Sequence, residues 1–101
     1  MSNHKARSFT HPSYARVIFL PLPGQITQII IEPKGRIPMH SHDCDAEFTV
    51  VAGFGWYGTT ETPRDQEIAP GDHIKIKAGL AHAFVAGEAG MALNAPQGKG
   101  Q

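Results

Sequence analysis

Two histidines separated by a single residue, His40 and His42, are the side chains of this sequence with the clearest potential for chemistry. In a β-strand, residues two apart point to the same face with backbones about 7 Å apart, so both imidazoles could bind one metal ion. Glu47 begins the next apolar segment, and its parity with Thr49 and Val51 predicts a carboxylate that points inward with them. These residues form a candidate metal-binding group.

A further histidine, His82, precedes another apolar segment and shares parity with Phe84 and Ala86. Three imidazoles and one carboxylate suit a first-row divalent metal such as iron, manganese, nickel, zinc or copper. Four protein ligands leave two positions of an octahedral ion open, which permits Lewis-acid chemistry or direct binding of a substrate. Taken singly, each histidine is equally typical of a surface or a core, and Glu47 is typical of a solvated strand end. The hypothesis therefore depends on their joint spacing.

The elements that must position these residues are short β-segments. Eleven glycines and eight prolines recur at short intervals, and no window holds a helix-length apolar stripe free of them. The pattern therefore predicts an all-β sandwich or barrel. The predicted strands are 14–20, 25–32, 37–42, 47–52, 55–60, 66–69, 73–77, 81–86 and 91–94.

Length and composition set further limits. A chain of 101 residues predicts one domain, which we place at 14–96, with an N-terminal arm at 1–13 and a C-terminal tail at 97–101. Nine basic and nine acidic residues argue against nucleic acid as the partner. No apolar run approaches the roughly 20 residues of a membrane span, so we expect no membrane partner.

The single cysteine and the N-terminus bear on the compartment. Cys44 excludes an internal disulfide and is compatible with a reducing environment. It is interpreted as an exposed loop residue, with binding of a soft metal as the alternative. No apolar core of an export signal follows the first residues, which favours a cytoplasmic location.

The spacing of the candidate ligands resembles that of the cupins. The first cupin motif consists of a glycine, a His-x-His pair, a glutamate and a second glycine. Gly35, His40-Ser41-His42, Glu47 and Gly53 follow this order, although one residue is missing before the pair and one after Glu47.

The second cupin motif is also present in outline. Gly71, Gly79 and His82 match it, whereas Lys77 stands where the family usually has proline and Ala86 where it has asparagine. The two motifs extend the resemblance over about residues 26–96.

The resemblance implies a cupin double-stranded β-helix, which is a jelly-roll β-barrel with one metal ion inside its open end. It implies His40, His42, Glu47 and His82 as the metal ligands. It also implies a homodimer, formed by packing of a sheet face or by exchange of N-terminal strands. Segment 14–20 is the candidate for that exchange, and it could equally be a simple edge strand.

Around the metal, we expect a pocket with apolar walls for a small molecule. Its candidate substrate-binding residues are Met39, Phe48, Trp56, Tyr57 and Phe84. The first functional hypothesis is a metalloenzyme acting on a small organic molecule, with an oxygen-dependent dioxygenase first and an isomerase or lyase second. The second hypothesis is a non-catalytic module that binds a small ligand. An isomerase needs an additional acid–base residue, for which His11, Tyr57 and Asp45 are weak candidates, and we assign no catalytic residue.

Overall fold

The chain folds into an all-β structure, as predicted. The computed structural model describes residues 9–10, 14–61 and 66–96, so the predicted tail and most of the predicted arm lie outside the described residues. The described strands are β1 (Phe9–Thr10), β2 (Ala15–Leu22), β3 (Ile26–His40), β4 (Ala46–Thr59), β5 (Gln66–Ile68), β6 (His73–Ile76) and β7 (His82–Pro96). Within these residues, no helix is long and apolar enough to span a membrane.

The strands form one antiparallel sheet that closes around a single core. Their order is β1-β2-β3-β7-β4-β5, and β6 pairs with the first half of β4. β2 lies between β1 and β3, so among the described strands it is not the edge. β7 contacts both β3 and β4 along most of its length and is the centre of the sheet.

Three of the strands are longer than predicted. The sequence divides β3, β4 and β7 at glycines and prolines, whereas the structure continues each strand through a register shift. Gly53 and Gly90 show how this is possible, because both have positive φ and a Cβ at Gly53 would lie 2.1 Å from the Gly90 carbonyl oxygen. Glycine therefore lets two long strands cross closely and bend, where the pattern predicted turns.

The core follows the period of two that is expected of strands with one buried face. On β4, Ala46, Phe48 and Val50 are each 1% exposed, while Glu47 and Thr49 alternate with them on the other side. The remaining buried apolar residues are Val17, Phe19, Ile29, Ile31, Ile37, Ile68, Ile74, Ile76, Phe84, Ala86, Met91, Leu93 and Ala95. This packing fixes which side chains can reach the interior of the barrel.

Candidate metal centre

Three histidines meet at one end of the barrel. His40 is the final residue of β3, His42 lies two residues beyond it, and His82 is the first residue of β7. His40 and His82 stand opposite each other in the β3–β7 pairing. One potential ligand atom from each imidazole lies within 4.8 Å of the others. We call these three residues the histidine triad.

In the most deeply buried histidine of the triad, one ring nitrogen has a hydrogen-bond partner and the other has none. His82 is 1% exposed, and its Nδ1 donates a hydrogen bond of 3.1 Å to the carbonyl oxygen of Leu80. Its Nε2 is buried without a hydrogen-bond partner. Because Nδ1 carries the proton, Nε2 of the neutral ring presents a lone pair to the interior, which is the arrangement of a metal ligand.

The ring of His40 is held in a similar way. Its Nδ1 donates to the carbonyl oxygen of Pro38 at 2.9 Å, and its Nε2 lies 3.1 Å from Nε2 of His42. Two nitrogens bound to one ion at about 2.0–2.1 Å lie about 2.8–3.4 Å apart at octahedral or tetrahedral angles. The observed separation therefore fits a shared ion.

Burial favours the uncharged form of two members of the triad, His42 and His82, and this is the form that binds a metal. Burial lowers the pKa of His82 to about 4, assisted by His40 and His42 and opposed by the hydrogen bond to Leu80. Burial and then His40 also lower the pKa of His42, against a smaller opposite effect of Asp43. Imidazole must be neutral to bind a cation, so His42 and His82 are ready for binding at neutral pH.

The predicted inward orientation of Glu47 is wrong. Glu47 alternates with the buried Ala46 and Phe48, pairs with Lys75 of β6, and lies on the outer face. Thr49, on that same face, makes a 2.8 Å hydrogen bond to Nδ1 of His73. Among the described residues, the group of neighbouring potential ligands therefore consists of three imidazoles and does not include this carboxylate.

The sequence contains the signal that corrects this assignment. The first cupin motif has six residues between its glutamate and the following glycine, whereas Glu47 and Gly53 are separated by five. Counting back from Gly53 places the inward position at Ala46, and the alternation of apolar residues on β4 agrees with that register. Position 46 is therefore the inward position, and it is occupied by alanine.

Aromatic rings surround the triad on the inner side. The ring of Phe48 is 5.8 Å and that of Phe84 is 6.0 Å from the His82 ring, and Tyr57 lies 6.2 Å from Phe84. Tyr14 lies 5.6 Å from the His40 ring, and burial raises its pKa. Tyr14 was not predicted as a site residue, because no sequence motif connects it with the three histidines.

Two of the predicted pocket residues lie elsewhere. Met39 is 49% exposed, because a register shift between Ile37 and His40 turns it away from the inward face that Ile37 occupies. Trp56 packs edge-on against Phe54, at 5.7 Å, and Phe54 is itself 38% exposed. These two side chains therefore lie away from the triad, and the inner wall is formed by Phe48, Phe84 and Tyr57.

No protein-family model and no curated protein match this sequence. Solved structures match it over most of its length. The polyketide cyclase RemF from Streptomyces resistomycificus is 22% identical with a TM-score of 0.77, over 100% of this chain and 82% of that one. The cupin-2 domain protein Rru_A2000 from Rhodospirillum rubrum is 15% identical with a TM-score of 0.76, over 90% and 66%.

A third similar structure is a domain of a protein that has been solved in complex with another protein. The cupin domain of CENP-C from Drosophila melanogaster is 11% identical with a TM-score of 0.73, over 91% of this chain and 74% of that domain. CENP-C has also been solved bound to CAL1. At these identities the similarity concerns architecture, and it agrees with the antiparallel barrel. This chain has the cupin fold.

Proposed function

We propose that this chain is a metal-dependent enzyme that holds one divalent transition-metal ion through His40, His42 and His82. The observation that carries the proposal is the buried Nε2 of His82, which has no hydrogen-bond partner. A buried polar atom without a partner costs about 1–3 kcal/mol, and a metal bond to it would remove that cost. Iron, manganese, nickel, zinc and copper all accept imidazole nitrogen.

The surroundings of the triad support a small organic substrate. When bound, the ion would supply Lewis acidity and open positions for substrate or oxygen. The carbonyls of Pro38 and Leu80 fix the orientation of His40 and His82. The rings of Phe48 and Phe84 line the inner side and limit the access of water. RemF, which has the same fold, is described as a polyketide cyclase, so this architecture can serve chemistry on organic molecules.

Within this proposal, oxygen-dependent chemistry of the dioxygenase type comes first and an isomerase or lyase second. An isomerase needs a proton acceptor beside the metal. Glu47 faces outward, and Asp45 accepts a 2.9 Å hydrogen bond from the backbone N–H of Ala78. Tyr14 retains its proton at neutral pH because burial raises its pKa. His11 lies outside the described residues, so none of Glu47, Asp45 and Tyr14 supports the isomerase as its proton acceptor.

The experiment is reconstitution followed by oxygen-uptake measurements. Metal-stripped protein is loaded anaerobically with Fe²⁺, and oxygen consumption is followed with small phenols and enolisable carbonyl compounds. Uptake that requires both substrate and iron, and that is lost in His82→Ala, would support the enzyme. Failure of the stripped protein to bind any of the five metals stoichiometrically would contradict the proposal.

A non-catalytic binding module is the second candidate. The CENP-C cupin domain supports it, because a structure of that protein shows it bound to another protein, CAL1. The two candidates differ in their dependence on the metal. Binding of a small ligand with equal affinity by stripped and loaded protein, together with no turnover, would favour the module over the enzyme.

We also propose a homodimer that packs through the outer sheet face. Antiparallel sheets with one buried face usually carry polar residues on the other, but the outer positions of β2 and β3 are mainly aliphatic. These outward residues are Ile18, Leu20, Leu22, Ile26 and Ile30. Gln28 and Asn94 lie among them and bond to each other at 3.2 Å, so burying that pair would leave their bonded atoms satisfied.

The charges around this face suit a second copy of the same chain. Arg16 and Glu32 flank it on one side and Glu47 and Lys75 on the other, so a twofold contact could bring opposite charges together. Ile30→Lys should convert a dimer to a monomer in light-scattering measurements, whereas Ala69→Lys, at an exposed site outside this face, should not. A monomeric wild-type protein would contradict the dimer. The cytoplasmic location stays a prediction.

A further inference from the structure

The outer face of the barrel carries a cavity that is separate from the histidine triad. Its volume is about 290 Å³, close to the lower end of the range of about 300–1,000 Å³ that is usual for small-molecule sites. It is lined by Glu47, Thr49 and Val51, which are successive outward residues of β4. Phe48, which alternates with them, points inward and lies 5.8 Å from the ring of His82. The cavity and the triad therefore lie on opposite sides of the same strand.

A row of polar side chains crosses the sheet at this cavity. One residue from each of four neighbouring strands stands opposite the next, and these are Gln28 of β3, Asn94 of β7, Thr49 of β4 and His73 of β6. Gln28 Nε2 donates to Asn94 Oδ1 at 3.2 Å, and Thr49 Oγ1 shares a hydrogen bond of 2.8 Å with His73 Nδ1. Because Asn94 accepts through its oxygen, its amide nitrogen is left to donate to a ligand in the cavity.

Apolar side chains border the polar row on both sides. Ile26 and Pro96 are register partners at the start of β3 and the end of β7, and both line the cavity. Val51 lies on the other side of the row and is 41% exposed. A wall of apolar side chains with a few polar groups is the usual form of a small-molecule site. The division favours a ligand that has a hydrocarbon body and one polar group.

The charge of the cavity comes from one carboxylate. Among the described residues that line it, Glu47 is the only acidic residue, and none is a lysine or an arginine. Within the same part of the chain, the Glu47 carboxylate forms neither an ion pair nor a hydrogen bond. Its register partner Lys75 lines a neighbouring cavity and not this one. A carboxylate with all its acceptor sites open favours a ligand that donates charge-assisted hydrogen bonds.

We infer that this outer cavity binds a small organic ammonium ion whose hydrocarbon body is about the size of one aromatic ring. The ammonium group donates to Glu47, the body packs on Ile26 and Val51, and the amide nitrogen of Asn94 serves any oxygen that the ligand carries. The site does not depend on the proposed metal centre. Ile26 also belongs to the outer face proposed for the dimer, so a second copy of the chain is the competing occupant.

The experiment compares two probes by NMR on the full ¹⁵N-labelled chain, with Zn²⁺ and after removal of metal. Benzylamine and benzyl alcohol are nearly equal in size, and only benzylamine is positively charged at neutral pH. Benzylamine should bind about fivefold more tightly in both forms, which is the effect of a partly exposed ion pair. It should shift the amide signals of Thr49, His73 and Asn94. Equal affinities, or shifts confined to the triad, would overturn the inference.

Two matched variants test the charge. Glu47→Gln removes the charge and almost preserves the shape, so it should abolish the fivefold preference for benzylamine. Glu67→Gln makes the same change at an exposed position of β5 outside the cavity, and it should keep the preference within about twofold. An unchanged preference in Glu47→Gln would overturn the inference. An equal loss in both variants would also overturn it, because it would show an effect of net charge alone.

Two further variants test the apolar wall and the competing occupant. Val51→Ser should weaken both probes by about threefold and keep the preference for benzylamine, because it removes apolar contact without changing charge. No effect on either probe would place the hydrocarbon body elsewhere and contradict the site. Ile30→Lys, designed to separate the dimer, should bind benzylamine as the wild type does. Binding by this variant alone would mean that a second copy fills the cavity and would overturn the inference.

Discussion

Two histidines on opposite sides of the same barrel wall have opposite environments. His73 on β6 is exposed, and its Nδ1 is hydrogen-bonded to Thr49. His82 on β7 is buried, and its Nε2 has no partner. A histidine that is satisfied by its neighbours needs nothing more, whereas a buried nitrogen without a partner indicates a missing ligand. The comparison shows why burial and hydrogen bonding select a candidate metal ligand better than the number of histidines does.

We expect the largest difference in metal affinity between the variants that remove these two imidazole rings. His82→Ala should lower metal affinity by about 100- to 1,000-fold, since structural zinc sites are worth roughly 10–16 kcal/mol over about four ligands. His73→Ala should change it less than about threefold. Isothermal titration with Zn²⁺ or Co²⁺ measures both. A similar loss in the two variants would place the outer histidine in the site and remove the distinction.

We expect the second-largest difference in the free energy of unfolding, between variants of an inner and an outer phenylalanine. Phe48→Ala opens a cavity beneath His82 and should cost about 3–5 kcal/mol of unfolding free energy, because Phe48 is 1% exposed. Phe54→Ala, at 38% exposure on the outside, should cost about 1 kcal/mol. Urea denaturation of the metal-free protein measures the two values. Comparable costs would mean that Phe48 is not part of a tightly packed inner wall.

Acid should destabilise the metal-free protein through His82. Its folded pKa of about 4 lies below the ordinary 6.5, so the unfolded chain binds more protons between these values. The contribution of neutral His82 to the free energy of unfolding should be fully present above about pH 6.5. The free energy of unfolding should then fall by on the order of 3 kcal/mol toward pH 4. His82→Gln should flatten this dependence, and His73→Gln should leave it. Metal loading should also fall as the pH is lowered toward about 4, where His82 becomes protonated, and a loading profile that stays flat down to that pH would contradict histidine ligation.

The smallest effect should come from the side chains that lie away from the triad. Met39→Leu and Trp56→Leu should each change metal affinity by less than about threefold, because the side chain of Met39 is half exposed and Trp56 packs against Phe54. Spectral titration with Co²⁺ measures the two affinities. A tenfold effect of Trp56→Leu would mean that the outer aromatic pair influences the metal site.

The three histidines were predictable because the His-x-His pair and the Gly79 to His82 spacing are local patterns. Glu47 was predicted to face inward although the apolar alternation of Ala46, Phe48 and Val50 indicates the opposite register. The prediction used the parity of Thr49 and Val51 for the inward face, whereas the buried residues follow the parity of Phe48 and Val50. Tyr14 and the carbonyls of Pro38 and Leu80 were not predictable, because their roles arise from contacts between separate strands or from backbone atoms that any residue supplies.

The central position of β7 has a consequence for how the protein is made. This strand pairs with both β3 and β4, whose paired residues precede it by 23 to 70 positions, from Thr59 with His82 to Ile26 with Pro96. Such distant pairing is slow, because a long loop must close before the contact forms. During synthesis the earlier strands must therefore wait, without their central neighbour, until β7 emerges from the ribosome. His82 arrives with that strand, so the triad can assemble only as the barrel closes.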